Sequence, residues 1–286
     1  MGTTWFECTV DVPAEHGESV ANFLIESGAP GLQSEEQNGI THLTAYYSAA
    51  PPLDALVRFC ASIGCPLHCA DSVHVRRVPH ENWAENWKAH FHAQLLGERL
   101  YICPPWDCAA PTGRATVVID PGMAFGTGHH ATTRGCLLLI EDAFGRRHIT
   151  RALDVGTGSG VLAIALAKLG ATEVWAIDTD GDACAIAEAN AASNGVAAHV
   201  HIRRSLDEVS GTFDVLCANL FADLLQQMAP KLAELVSPGG VLICSGFLTN
   251  DENRVRSAYE ARGLHPGRRL EEESWVTLAL QRTPEP

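Results

Sequence analysis

The sequence predicts an α/β chain in which a doubly wound parallel sheet follows a small α+β domain, and three observations carry that prediction. The first is the stretch RALDVGTGSGVLAIALAKLGATEVWAIDTD (151–180). There an apolar run ends in a glycine turn, a helix pattern follows, and a second apolar run closes on an acid. The second is that strand and helix patterns keep alternating up to residue 280, which implies parallel pairing with a ligand at the strands' C-terminal edge. The third is the order strand–helix–strand–strand–helix–strand in residues 1–79, that of a split-βαβ, ferredoxin-like domain.

Residues 4–11 read as the first strand. Residues 15–27 place Val20, Phe23 and Leu24 at helical spacing, and Gly28 stops that helix. Two strands, 31–37 and 40–48, flank Asn38-Gly39, a pair suited to a two-residue hairpin turn. Leu53, Leu56, Val57 and Cys60 share one face of a helix over 53–63, and residues 72–78 alternate as a strand. Residues 81–96 follow as a helix with Trp83, Trp87 and Phe91 at i, i+4 and i+8. This is an amphipathic linker packing its aromatics inward, or else an aromatic cage for a methylated amine. His90 and His92 point apart on such a helix and make a poor metal site. The boundaries implied are 1–79 for the first domain, 80–96 for a helical linker and 97–286 for the second domain.

In the second domain, strands are expected at 97–104 and 117–120. The glycine-rich loop PGMAFGTGHHATT (121–133) comes next, and Thr132 and Thr133 are placed to cap the helix beyond it. Such a loop, just before a glycine turn, suits closure over a bound nucleotide. After Asp178 come a helix (182–193), a strand (199–203), an acidic turn with Asp207 and Glu208, and the apolar strand 213–218. A helix over 224–236, a turn at Ser237-Pro238-Gly239-Gly240, a strand (241–245), a helix (252–262) and a last strand (275–280) complete the sheet.

Composition narrows the function. With 20 Lys+Arg against 34 Asp+Glu the net charge is −14, which disfavours a phosphate-backbone binder and leaves either solubility or attraction to a basic protein. The start MGTTWFECTV has no basic flank or apolar core of a signal peptide, Phe6 breaks the myristoylation pattern, and the aliphatic run 161–167 is far too short for a membrane span. Ten cysteines with no C-x-x-C pair fit free thiols in a reducing cytoplasm. Cys60, Cys65, His68 and Cys69 cluster without the spacing of a zinc module, so no metal is expected.

Chemistry is concentrated in the glycine turn. Gly156, Gly158 and Gly160 let the backbone turn tightly and come close to a ligand, and Asp178 offers acceptors for a ribose diol. A dinucleotide fingerprint needs glycine or alanine where this chain has Val161, which disfavours a nicotinamide oxidoreductase. The form D-x-G-x-G-x-G resembles motif I of the class I S-adenosylmethionine-dependent methyltransferases, whose sheet is Rossmann-like. Three further stretches narrow the resemblance: WAENWKAHFHAQLLGERLYICPPWD (83–107), DPGMAFGTGHHATT (120–133) and CANLFADLL (217–225). In order and spacing they are similar to the ribosomal protein L11 methyltransferases, the PrmA family, over essentially the whole chain.

That resemblance implies a cytoplasmic enzyme that transfers methyl groups from S-adenosyl-L-methionine to the N-terminal α-amine and lysine side chains of ribosomal protein L11. It also implies an N-terminal domain that recognises this substrate. It implies cofactor contacts at Thr133, Gly156, Asp178 and Asn219, to which Gly158 and the loop residues Phe125, Gly126 and Thr127 are added. Asn219 is the expected catalytic residue, orienting the incoming amine, while Asp207 or Glu208 is placed to meet the adenine amine. Departures from the family pattern are His129 and Ala131 in the loop and Leu220-Phe221 after Asn219. Another basic protein, or an electron-transfer flavoprotein subunit, is the alternative substrate. No nucleic-acid or membrane partner is expected.

Overall fold

The computed structural model describes residues 4–29, 31–65, 67, 73–79, 92–120, 128 and 130–284. The chain divides into two compact units, Met1–His90 and Phe91–Pro286. Most of the 81–96 stretch, with its aromatics, lies outside the described residues. So do loop residues 121–127 and His129, and with them Phe125, Gly126 and Thr127.

In the first unit the elements are β1 (Thr4–Pro13), α1 (Ala14–Glu26), β2 (Gly31–Gln37), β3 (Ile40–Tyr47), α2 (Leu53–Ser62) and β4 (Val73–Pro79). The sheet order is β2-β3-β1-β4 with every pair antiparallel, the ferredoxin-like arrangement that the sequence predicts. Alternation decides which face is covered. Cys8, Val10 and Val12 of β1 and Leu43 and Ala45 of β3 point into a core closed by Val20 and Leu24 of α1 and Leu56 and Cys60 of α2. Asn38 and Gly39 take φ of 55° and 77°, the two left-handed residues of the expected hairpin turn.

The second unit opens with a three-stranded sheet, β5 (Gln94–Leu96), β6 (Leu100–Cys103) and β7 (Ala115–Val118). Gln94–Leu96, expected at the end of the aromatic helix, is therefore a strand, held antiparallel to β6. The main body follows as α3 (Ala131–Arg146), β8 (Arg151–Val155), α4 (Val161–Leu169), β9 (Glu173–Ile177), α5 (Gly181–Ser193), β10 (Val200–Arg203), β11 (Phe213–Asn219), α6 (Ala222–Leu235), β12 (Val236–Leu248), α7 (Glu252–Glu260), β13 (Leu264–Glu272) and β14 (Trp275–Arg282). Seven strands run in the order β10-β9-β8-β11-β12-β14-β13.

The central strands are largely apolar because both faces are covered. Ala152, Ala176, Cys217 and Ile243 enter one core, with α3, α4 and α5. Leu153, Ile177, Leu216 and Leu242 enter the other, with α6 and α7. Helix α4 is apolar almost all round because the small sheet packs on it as well, with Leu100, Ile102 and Val117 in the same core.

Several expectations are corrected. Parallel pairing fails at the end of the chain: β14 runs antiparallel to β12, and β13 antiparallel to β14. Strand β13 (LHPGRRLEE) escaped the sequence reading because it is an edge strand with only Leu264 buried, so it lacks an apolar face. The Ser237–Gly240 turn is a bulge inside β12, where the register with β11 shifts from Phe213↔Val236 to Val215↔Val241. His130, not Thr132 or Thr133, caps α3: its Nδ1 accepts from the Thr132 N–H (3.3 Å). Finally, Cys103 and Cys108 form a disulfide. Cys8, Cys60, Cys65, Cys136, Cys184, Cys217 and Cys244 are free and buried.

Candidate functional site

The glycine turn joins β8 to α4 and is tied to the end of β9. The N–H groups of Gly156 and Thr157 both donate to the Ile177 carbonyl, at 2.8 and 3.0 Å. Gly156, Gly158 and Gly160 take φ of 75°, 52° and 84°, so each alternate glycine occupies the left-handed region that side chains rarely adopt. A Cβ on Gly156 would come within 2.5 Å of Leu220 Cδ2, and one on Gly160 within 3.2 Å of Ala187 Cβ. The turn is braced from behind, where Asn190, buried in α5, donates from Nδ2 to the Ser159 carbonyl (2.9 Å).

Asp178 closes the β9 end. Its Oδ2 accepts from Gly158 N–H (2.9 Å) and its Oδ1 from Asp180 N–H (3.1 Å). Each oxygen carries a second lone pair, so the carboxylate orders the turn and still has acceptor capacity for a hydroxyl pair. Asp154 lies beneath the turn, fully buried, and accepts from the Thr157 hydroxyl at 2.7 Å. Burial pushes its carboxyl up to about 7, against the opposing pull of the Thr157 hydroxyl and the Ala163 N–H, with the charge of Asp178 adding to the rise.

This gives a stability prediction. The folded chain keeps a proton on Asp154 where the unfolded chain, with its carboxyl near 3.8, has already lost it. The stabilisation is complete below about pH 4 and is lost as pH rises to about 7, by roughly 4 kcal/mol at most. Asp154→Asn, which does not ionise, is expected to flatten the melting temperature across this window in calorimetry. An undiminished slope would show that Asp154 does not titrate there.

Across the pocket, Asn219 ends β11. Its Nδ2 donates to Thr132 Oγ1 (3.1 Å), and that hydroxyl lies 2.7 Å from His130 Nδ1. His130 packs edge-on against Trp275, with ring centroids 5.0 Å apart. Burial, reinforced by the Arg134 charge, lowers the His130 pKa, with Glu273 and Glu272 opposing. His130 is therefore neutral near pH 7, with Nδ1 as the acceptor. The chain His130–Thr132–Asn219 fixes the amide and leaves Asn219 Oδ1 an acceptor without a partner among the described residues.

These groups surround one cavity of about 680 Å³ at the C-terminal edge of the sheet. Gly156, Gly158, Asp178 and Asn219 line it, as expected from the sequence. Thr133 does not: it is buried, and its hydroxyl has no partner among the described residues. From the segment after β10 the cavity is lined by Arg204, Ser205 and Leu206, and not by Asp207 or Glu208, the acids the sequence offers for an adenine amine. Glu208 is occupied in a capping box with Ser205, accepting from the Arg204 and Ser205 N–H groups at 3.2 Å each. His130 lines the cavity as the pocket-shaping loop residue the sequence suggests, Thr132, expected only as a helix cap, lines it too, and sequence reasoning missed Gly246 and Trp275. Gly246 carried a signal in the break of the apolar β12 pattern. It has φ of 95°, and a Cβ there would sit 2.5 Å from the Leu220 carbonyl oxygen.

A nucleoside carrying an amino-acid tail fits this wall. The backbone is stripped of side chains along the turn, a carboxylate stands at one end, and apolar Ile177, Leu206 and Leu220 lie between. Phe221, 79% exposed, and half-exposed Leu224 form the outer lip.

Comparison with known proteins agrees with this geometry. The family described as ribosomal protein L11 methyltransferase (PrmA) matches residues 4–283. A ribosomal protein L11 methyltransferase of Trichlorobacter lovleyi is 36% identical over 99% of this chain and 100% of its own length. One from Pelotomaculum thermopropionicum is 37% identical over 97% of this chain and 98% of its own. The crystal structure of a ribosomal protein L11 methylase from Lactobacillus delbrueckii subsp. bulgaricus is 33% identical, with a TM-score of 0.62. It covers 68% of this chain and 100% of that one.

Proposed function

The chain belongs to the ribosomal protein L11 methyltransferase (PrmA) family, and on that premise we propose that it methylates the N-terminal α-amine and lysine side chains of ribosomal protein L11. It is an S-adenosylmethionine-dependent protein methyltransferase. The observation that carries the site assignment is the convergence of the glycine turn, Asp178 and Asn219 on one cavity.

S-adenosyl-L-methionine, when bound, supplies an electrophilic methyl group on a sulfonium, so the protein has mainly to align a lone pair with it. Asp178 receives the ribose hydroxyls, and the turn at Gly156 and Gly158 receives the amino-acid tail. Phe125, Gly126 and Thr127 complete the cofactor contacts from the loop side. Asn219 Oδ1 accepts a hydrogen bond from the incoming neutral amine and so points its lone pair inward. A lysine near pKa ~10.4 and an α-amine near ~8 must each give up a proton to become nucleophilic, and the apolar lip favours the neutral form. Among the described lining residues Asp178 is the only carboxylate, and its bonds hold it to the turn, so the proton leaves to solvent.

The partner is a basic protein attracted to a chain of net charge −14, and no nucleic-acid contact is assigned. No described helix is long and apolar enough to cross a membrane. A cytoplasmic setting is the one in which a ribosomal protein meets its modifying enzyme. A lysine methyltransferase for another protein, such as an electron-transfer flavoprotein subunit, is not favoured, since relatives named for L11 match over 97–99% of the chain.

Incubation of unmethylated L11 with the enzyme and methyl-labelled S-adenosyl-L-methionine is expected to move label into L11 and not into an equally basic control protein. Label in the control but not in L11 would replace the substrate and keep the reaction.

A further inference from the structure

A second cavity, of about 400 Å³, lies at the opposite edge of the seven-stranded sheet, where β12 starts its main run at Val241 and β14 ends at Arg282. Four arginines line it: Arg146 and Arg147 from the end of α3, Arg268 from β13 and Arg282 from β14. They are four of only 20 basic side chains in an acidic protein, gathered from segments more than a hundred residues apart. Among the described lining residues Asp142 is the one carboxylate.

Among the described residues, their existing bonds do not balance this charge. Asp142 takes Arg146 (2.9 Å) and Arg268 (2.9 Å) together. Arg147 donates to the Gly239 carbonyl and Arg282 to the Ala233 carbonyl, both neutral acceptors. Asp214 lies near Arg147, but its Oδ2 accepts from the N–H groups of Thr150 and Arg151 (2.9 and 3.0 Å). Burial works against the charge on Arg147, with Asp214 opposing. A guanidinium has five N–H donors in a planar fork that matches a tetrahedral oxyanion, and a half-buried one without a counter-ion gains most from receiving it.

We propose that this arginine-lined cavity is a binding site for a phosphate-class oxyanion, of the size of a diphosphate or the phosphate chain of a nucleotide. Arg147 supplies the inner donors, and Arg146 and Arg268 close over the outer oxygens in competition with Asp142, while Arg282, its guanidinium turned to the Ala233 carbonyl on the α6 face, contributes only to the wall. The apolar wall of Leu139, Val241 and Ala279 takes the uncharged remainder of a nucleotide. The site lies at the other end of the strands from Asn219, so its occupancy is separate from methyl transfer.

The test is calorimetric titration of the full-length protein with orthophosphate, pyrophosphate and ATP. Saturable binding of pyrophosphate is expected. Arg268→Glu, at a half-exposed position where folding tolerates it, is expected to weaken it about tenfold or more. Asp142→Asn, which removes the competing carboxylate, is expected to tighten it, a gain that arginines serving only as structural braces would not produce. Binding of S-adenosylhomocysteine at the other edge stays unchanged in both variants and reports that they are folded. Tighter binding of ATP than of pyrophosphate assigns a nucleotide as the source, whereas equal or weaker binding assigns a free polyphosphate. Absence of saturable binding to the parent protein, or equal binding to Arg268→Glu, overturns the proposal.

Discussion

Asp178→Ala is expected to weaken S-adenosylhomocysteine binding by about 10²–10³-fold. Two charge-assisted hydrogen bonds to the ribose, each worth about 1.5–3 kcal/mol, disappear together. The variant also frees the N–H groups of Gly158 and Asp180, so the turn itself loosens. Asp178→Asn separates the two effects. An amide keeps one acceptor but sets its NH₂ against a backbone donor, and an intermediate loss is expected. Calorimetric titration measures both variants, with thermal melting to show that the sheet is intact. An affinity within a factor of about two of the parent would remove Asp178 from the cofactor site.

Asn219→Ala is expected to lower kcat about 10²-fold, the scale of a misaligned reacting group, while changing cofactor affinity far less. The separation follows from the geometry: Nδ2 is held by Thr132, which leaves Oδ1 for the amine. Thr132→Val supplies the internal control. It leaves Asn219 in place but removes the hydroxyl that orients it, so kcat should fall less, and KM for the protein substrate should stay near the parent value. Full turnover in Asn219→Ala with unchanged cofactor affinity would show that another group orients the amine.

Much of this architecture was legible in residue patterns whose physical cause is local. Three alternating glycines announced a turn in which all three adopt positive φ, and Asn38-Gly39 announced a hairpin for the same reason. Strands buried on both faces read as apolar runs, as in residues 215–218. What was not legible depends on contacts distant in sequence. Strand β13 is specified by pairing with β14 and not by an apolar face of its own. The cap of α3 belongs to His130 because that ring is pinned by Trp275, 145 positions later, and by the Thr132 hydroxyl. Only the fold brings Thr132 to Asn219, or Arg147 to the cavity that also receives Arg268. Asp207 and Glu208 were the natural acids to offer an adenine, yet Glu208 is drawn back by the capping box that opens its turn.

The most direct measurement is residue-level mass mapping of L11, purified from cells lacking such a methyltransferase and incubated with this protein and S-adenosyl-L-methionine. Methyl groups on the N-terminal amine and on lysines, much reduced with Asn219→Ala, are the predicted result. Unmodified L11, from an enzyme shown in the same sample to bind S-adenosylhomocysteine, would contradict the assignment of the substrate while leaving the cofactor site standing.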